Sequence, residues 1–244
     1  PREMFEGFGV DLIITNAYII KQSKQREEIE EKGLHEFLDF PGIIYTDSGT
    51  YQMFSKGGVK ITNQETLAYQ ARIGSDLHTP LDLFTLPSDD RVTAEHKLER
   101  TIERIKEVDS PHFTAPIQGG SFLDLRRQAS EFAGKTKASV FPIGGIVPLM
   151  INYDFKQLIK IIMECKQSLP LNVPVHAFGA GHPMIFSLLA YAGIDLFDSA
   201  SYALYAERGK YITELGTKDV KSLTSLPCDC PICSEHKPSE LRRK

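Results

Sequence analysis

Short apolar stretches recur about every 31 residues along this chain, and the segments between them carry helical periodicity. The stretches begin near Val10 (VDLIITNAY), Ile43 (IIYTDSG), Asp76 (DLHTPLDLFT), Phe113 (FTAPIQGG), Ser139 (SVFPIGG), Val173 (VPVHAFGAG) and Ile194 (IDLFDSA). Between them, 24–33, 64–73, 94–108, 122–134, 155–168 and 183–192 read as helices. Strand followed by helix at this rhythm predicts α/β architecture with a parallel sheet and right-handed crossovers. The interval is that of a (β/α)8 TIM barrel, in which ~250 residues divide into eight units. A doubly wound open sheet has the same repeat length, but the strand ends favour the barrel. Thr46-Asp47-Ser48-Gly49, Asp82, Gln118-Gly119-Gly120, Gly144-Gly145, residues 178–181 and Asp198-Ser199 are all polar or glycine-rich. A barrel mouth gathers every such end into one site, whereas an open sheet gathers only those near its switch point. The sequence offers seven strands where a barrel needs eight, which predicts that the first lies ahead of Pro1. Residues 1–222 are assigned to the barrel. Residues 223–244, where the apolar period is lost, are assigned to the start of a Cys-rich zinc-binding segment that continues past Lys244.

Composition narrows the class. Among 244 residues, 41% are hydrophobic and 25% charged, which excludes a disordered chain, a collagen-like chain and a disulfide scaffold. The longest apolar runs, such as 143–151, are broken by Gly or Pro, so no membrane partner is expected. The formal charge of −4 gives no attraction for phosphate as a whole, and a nucleic-acid partner would need a local basic patch. Arg126, Arg127, Arg208, Arg242 and Arg243 are candidates for phosphate contact, or members of solvated helix faces. No basic leader followed by an apolar segment opens the sequence, and three of the four Cys crowd into 228–233; both features point to the cytoplasm. The fourth, Cys165, falls in an apolar helical run and reads as a buried, inert thiol.

The strand ends carry the chemistry. Asp47 and Asp198 each close an apolar strand and are each followed by Ser. Carboxylates in such positions are partly desolvated, which tunes both pKa and nucleophilicity. A pair across a barrel mouth suits double displacement at an anomeric carbon, one as nucleophile and the other handling protons. The plainer alternative is that each caps its own turn. Asp82, inside an apolar strand, needs donors, and a purine-like ring offers a ring N–H and an exocyclic amine. Gln118 can donate and accept, Gly144 and Gly145 allow a flat ligand close to the backbone, and Tyr51 and Phe178 offer aromatic faces. Cys228, Cys230 and Cys233 have the spacing of structural Zn²⁺ ligands, with a fourth ligand expected beyond Lys244 because the short link to His236 would crowd a tetrahedron. His176 and His182 flank 178–181 and read as core or turn histidines, or as catalytic groups.

Taken together, TDSGTYQMF (46–54), LDLF (81–84), IQGGSFLDLRR (117–127), PIGGIVPL (142–149), HAFGAGHP (176–183), GIDLFDSASYALYA (193–206) and PCDCPIC (227–233) resemble the tRNA-guanine transglycosylases. PIGGIVPL and FDSASYALYA resemble their archaeal branch, which makes archaeosine. The resemblance implies a (β/α)8 barrel that exchanges guanine at position 15 of the tRNA D-loop for preQ0 (7-cyano-7-deazaguanine) without cutting the backbone. By motif, Asp198 resembles the nucleophile that forms a covalent bond to ribose, and Asp47 the general acid/base; the two are treated as a pair. Asp82, Gln118, Gly144 and Gly145 resemble the base-recognition set, and Tyr51, Val147 and Phe178 the residues packing on the ring faces. Cys228, Cys230 and Cys233 resemble three ligands of a structural zinc. The implied partners are tRNA, guanine and preQ0, and the family commonly forms homodimers. C-terminal tRNA-binding domains of the archaeal branch have no counterpart in these residues.

Other readings stay open at this point. A catalytically silent tRNA-binding paralogue or partner subunit has no need of both aspartates. An archaeosine synthase paralogue is expected to lack the pair. A sugar-processing barrel would not require a purine-edge pocket, and a bacterial or eukaryotic queuosine-type transglycosylase would act at the anticodon instead.

Overall fold

The computed structural model describes residues 1–55 and 61–241. Arg242 and Arg243, candidates for phosphate contact, lie outside the described residues. Strands β1 (Leu12–Asn16), β2 (Ile43–Asp47) and β3 (Leu77–His78) form one parallel sheet in that order. Strands β4 (Phe141–Ile143), β5 (Val175–Ala177) and β6 (Leu196–Phe197) form a second. The segment 113–117 joins them through single parallel bridges, His78 to Phe113 on one side and Thr114 to Val140 and Ile117 to Ile143 on the other. All seven apolar stretches therefore run parallel, neighbour beside neighbour in chain order. The sheets are small, and no pairing between β1 and β6 closes them into a ring among the described residues. What the structure gives is a mixed α/β fold with a parallel succession, short of the closed eight-stranded barrel expected from the repeat. A final hairpin, β7 (Lys210–Thr213) and β8 (Gly216–Asp219), is antiparallel and stands outside the strand–helix rhythm.

The connecting helices follow from local chemistry. Thr62 and Glu65 make a reciprocal capping box at the start of Asn63–Arg72. Asp90 caps Arg91–Lys106 by accepting from the Thr93 amide, and Asp154 caps Phe155–Lys166 by accepting from that of Gln157. Leu158, Ile161, Ile162 and Cys165 repeat at helical spacing and are fully buried, so one face of that helix lies on the sheet. Each such aliphatic side chain contributes about 1.5–3 kcal/mol by leaving water. The main core joins them to Phe141, Ile143, Val175 and Ala177 of the second sheet and to Leu98 and Ile105 of Arg91–Lys106. A smaller cluster around Ile29, Leu34, Phe40, Ile44 and Ile73 packs behind the first. In such a parallel succession the C-terminal ends of the strands and the loops beyond them are where a site is built. No helix among the described residues is long and apolar enough to cross a membrane.

Candidate functional site

The strand ends meet. Asn16 at the end of β1, Asp47 at the end of β2, Asp82 beyond β3, Gly145 beyond β4, Phe178 and Gly179 beyond β5, and Asp198 beyond β6 line one cavity of about 730 Å³. Tyr51 and Val147, from the short helices Thr50–Ser55 and Val147–Ile151, complete its walls. The volume falls in the range of sites that enclose a small organic ligand, ~300–1,000 Å³.

Asp47 is half-buried, and its Oδ2 accepts from Asn16 Nδ2 at 2.8 Å and from the Gly49 amide at 3.2 Å. The turn-capping role and a place in the cavity thus coexist. Desolvation, then repulsion from the carboxylates of Asp82 and Asp198, pushes its pKa from 3.8 to about 7, against the smaller opposing pull of the Gly49 and Ser48 amides. An acid with that value holds and releases a proton near neutrality, which suits general acid/base work.

Among the described residues, Asp198 is held through one oxygen. Its Oδ1 accepts from the Gly179 amide at 2.8 Å and pairs with His176 Nε2 at 2.9 Å. Bonds on a single oxygen fix the carboxylate plane and leave Oδ2 for a reacting atom. His176 is 2% exposed, and its ring meets Tyr45 and Phe178 edge-on at centroid distances of 5.5 and 4.8 Å. Among the described residues buried Nδ1 has no partner; an Nε2–H tautomer, donating to Asp198, leaves only an acceptor unpaired. His176 is thus a core histidine by burial, and its Nε2 pairs with Asp198. His182 sits in a turn, its Nδ1 accepting from the Met184 amide.

Asp82 is 7% exposed, and burial raises its pKa. Gln118 Nε2 donates to its Oδ2 at 2.5 Å, partly offsetting that rise. Gln118 differs from the sequence expectation: fully buried, it does not line the cavity, and its Oε1 is occupied by the backbone amide and hydroxyl of Thr85, each at 3.0 Å. It stands behind Asp82. Gly144 also lies behind the wall, where a Cβ would run into the Gln118 amide. Gly145 does reach the cavity, in a left-handed conformation (φ 71°) where a Cβ would strike the Thr85 carbonyl oxygen. Tyr51 packs on Phe84 at 5.3 Å between ring centroids, and Val147 faces Gly179, where a Cβ would collide with Val147 Cγ2.

Arg126 overturns another expectation. It is fully buried and bonded to three backbone carbonyls, so it presents nothing to a phosphate. Exposed Arg127 pairs with Glu164 at 2.6 Å. Arg208 is exposed and lines a smaller neighbouring cavity of about 400 Å³.

Far along the chain, the Sγ atoms of Cys228, Cys230 and Cys233 lie within 4.8 Å of one another. The amides of Cys230 and Cys233 point at the Sγ atoms of Cys228 and Cys230, both at 3.4 Å. The Tyr211 hydroxyl meets Cys233 Sγ at 3.1 Å, so β7 is tied to the segment. Three thiolates converging with N–H groups aimed at sulfur fit a soft divalent ion. His236 Nδ1 is directed at the Ile232 carbonyl oxygen at 2.9 Å.

Sequence reasoning missed Asn16 and Thr85. Asn16 closes β1 as Asp47 closes β2, and the Asn16–Asp47 register pair is the signal that could have found it. Thr85 carries no such signal, because its importance lies in hydrogen bonds across 33–35 residues of sequence.

A family profile described as queuine tRNA-ribosyltransferase matches residues 1–244. Similar curated proteins include tRNA-guanine(15) transglycosylases from Pyrococcus furiosus (46% identical over 246 residues, 99% of this chain and 42% of that protein), Haloferax volcanii (43% over 250 residues, 100% and 48%) and Archaeoglobus fulgidus (45% over 247 residues, 99% and 51%). The chain spans about half the length of the curated relatives it matches.

Proposed function

The chain belongs to the queuine tRNA-ribosyltransferase family, and from that premise we propose that it is the catalytic portion of a tRNA-guanine(15) transglycosylase, exchanging guanine in the D-loop for preQ0 on the route to archaeosine. The observation that carries the reading is the single cavity holding Asp47, Asp82, Gly145 and Asp198. A guanine inside a folded tRNA must leave its stack to be reached, and a largely apolar cavity with an open mouth can receive it. Asp82 accepts from its ring N–H and exocyclic amine, and Phe178 and Val147 pack on its faces.

In the first displacement the free Oδ2 of Asp198 attacks ribose C1′. The C1′–N9 bond breaks, its electron pair leaves with guanine, and protonated Asp47 supplies a proton to the departing base. In the second, the N9 proton of preQ0 passes to the Asp47 carboxylate as N9 attacks C1′, and the ester bond breaks to return Asp198 as carboxylate. Each proton given is recovered. A pKa of about 7 lets Asp47 serve both directions near neutrality, and the Gly179 amide and His176 keep Asp198 aimed throughout.

The wider assignment follows the same reading: a (β/α)8 barrel over 1–222 whose mouth is the cavity, a Cys-rich segment over 223–244, a cytoplasmic location, and assembly as a homodimer. Cys228, Cys230 and Cys233 would hold Zn²⁺, which would fix the 228–233 turn that Tyr211 of β7 contacts and would supply structure, not chemistry. Both aspartates reach the cavity, which counts against a silent paralogue.

The test is incorporation of radiolabelled guanine into tRNA by this chain and by the full-length protein, with and without preQ0. Label at position 15, competed by preQ0, is the expected result. Label at the anticodon would overturn the choice of base, and tight tRNA binding without label in either protein would overturn the transglycosylase reading.

A further inference from the structure

Behind the cavity wall lies a buried polar assembly, Thr85, Gln118 and Arg126, that does not line the cavity. Thr85 and Arg126, both fully buried, each bond to the loop 117–120, Thr85 to its amides and Arg126 to its carbonyls. We infer that these two are positioning residues for recognition of the guanine edge, setting the orientation of the Gln118 amide, of Asp82 through it, and of the Gly144–Gly145 peptide. The inference rests on the transglycosylase reading and adds to it the residues that determine base preference.

Thr85 acts on Gln118 from one side. Its N–H and O–H both donate to Gln118 Oε1 at 3.0 Å, while its Oγ1 accepts from the amides of Gly119 at 3.0 Å and Gly120 at 2.7 Å. A carboxamide has one accepting and one donating end. Two donors on Oε1 determine which way round it sits, and Nε2 is left facing Asp82 Oδ2. The opposite orientation would turn an oxygen toward the Asp82 carboxylate. Asp82 would then have to keep a proton to bond with it, and could not accept from both guanine N–H groups.

Arg126 acts from the other side. Its Nε donates to the Gly120 carbonyl at 3.0 Å and its Nη1 to those of Ile117 and Gly144, both at 2.9 Å. Two of these carbonyls bracket Gln118, so the guanidinium fixes the backbone from which that side chain hangs. The third orients the Gly144–Gly145 peptide. In a trans peptide the N–H points opposite to the C=O, so with the Gly144 carbonyl drawn back to Arg126 the Gly145 amide is turned the other way, at the cavity wall. Among the described residues this guanidinium bonds only to carbonyls, and its Nη2 has no partner. A buried charge held this way is costly, and a purely structural site would be filled more cheaply by an apolar side chain.

The experiment compares wild type, Thr85→Val, Thr85→Ser and Arg126→Lys as full-length proteins, measuring exchange into tRNA with guanine and with hypoxanthine, which lacks the exocyclic amine. Thr85→Val and Arg126→Lys should each raise KM for guanine at least tenfold and reduce the preference for guanine over hypoxanthine at least tenfold. kcat at saturating base should stay within threefold, because Asp47 and Asp198 are untouched. Thr85→Ser keeps the hydroxyl and should retain the wild-type preference. A merely structural role would lower kcat for both bases together and leave the preference unchanged, and that result overturns the inference. Should Arg126→Lys fail to fold, the Thr85→Val and Thr85→Ser pair decides the matter alone. Lack of exchange in the wild type would count instead against the transglycosylase reading.

Discussion

Replacing Asp47 by Asn removes a carboxylate that the fold holds at a disadvantage, and the size of that disadvantage follows from its surroundings. Burial and the charges of Asp82 and Asp198 raise its pKa from 3.8 to about 7, a little over three units. At about 1.4 kcal/mol per unit, the ceiling is about 4 kcal/mol. The sign is that of an acid whose proton is held more tightly in the folded state. The unfolded chain releases it as pH passes about 4 and the folded chain only near 7, so wild-type stability from this group falls across that window. About two-thirds of the ceiling lies between pH 5 and 8, and because the carboxylate stays partly open to the cavity, screening halves it to about 1.5 kcal/mol. Asn does not titrate. Relative to wild type, the Asp47→Asn protein should therefore gain about 3–6 °C in melting temperature between pH 5 and pH 8. Calorimetric unfolding of both proteins at unit pH steps measures this. A difference between them that is flat with pH, or that favours wild type at alkaline pH, would refute the electrostatic account. Combining each protein with Asp198→Asn sharpens the test, because loss of a neighbouring charge should move the midpoint of the pH dependence downward.

Asp198→Asn should lower exchange at least about a thousandfold while guanine binding, followed by calorimetry, stays within about threefold; near-normal exchange would remove Asp198 as nucleophile. Asp82→Ala should weaken guanine about 30- to 100-fold, since it deletes a charged acceptor for two N–H groups, and leave tRNA affinity almost unchanged; equal losses in both would make Asp82 structural. Stripping metal with a strong chelator should lower the melting temperature by at least about 5 °C, with guanine binding at low temperature retained; unchanged stability after confirmed metal loss would defeat the structural role proposed for Cys228, Cys230 and Cys233.

What could be read from the sequence, and what could not, divides along physical lines. The parallel succession was legible because the apolar stretches recur at a near-constant interval with helical periodicity between them, and three of those helices are capped where the period begins, by Thr62, Asp90 and Asp154. The short helices Thr50–Ser55 and Val147–Ile151 were not, because a turn or two of helix is too brief to show a period. The hairpin β7–β8 escaped for a related reason, its strands being half-exposed and polar, without alternation to mark them. Asp47, Asp82 and Asp198 declared themselves as charges in apolar surroundings, and that anomaly survives in the fold as a shared cavity.

Residue type, however, states what a side chain can do and leaves open which way it faces. Gln118 illustrates the limit. Its sequence setting, beside two glycines after an apolar stretch, suits direct contact with a base, yet its oxygen is taken by Thr85 and its nitrogen by Asp82. Arg126 shows the same limit with opposite sign: a cation that composition assigns to the surface is fully buried against carbonyls of the very loops that shape the cavity. Both depend on partners remote in sequence, 118 on 82 and 85, 126 on 117 and 144. Both are also fully enclosed, where an unpaired polar group is expensive enough to dictate the orientation of its neighbours. The acidic residues that a sequence reveals are therefore only the exposed face of this site. Their geometry is set one layer deeper, by uncharged and carbonyl-bound groups whose role appears only once the chain has folded.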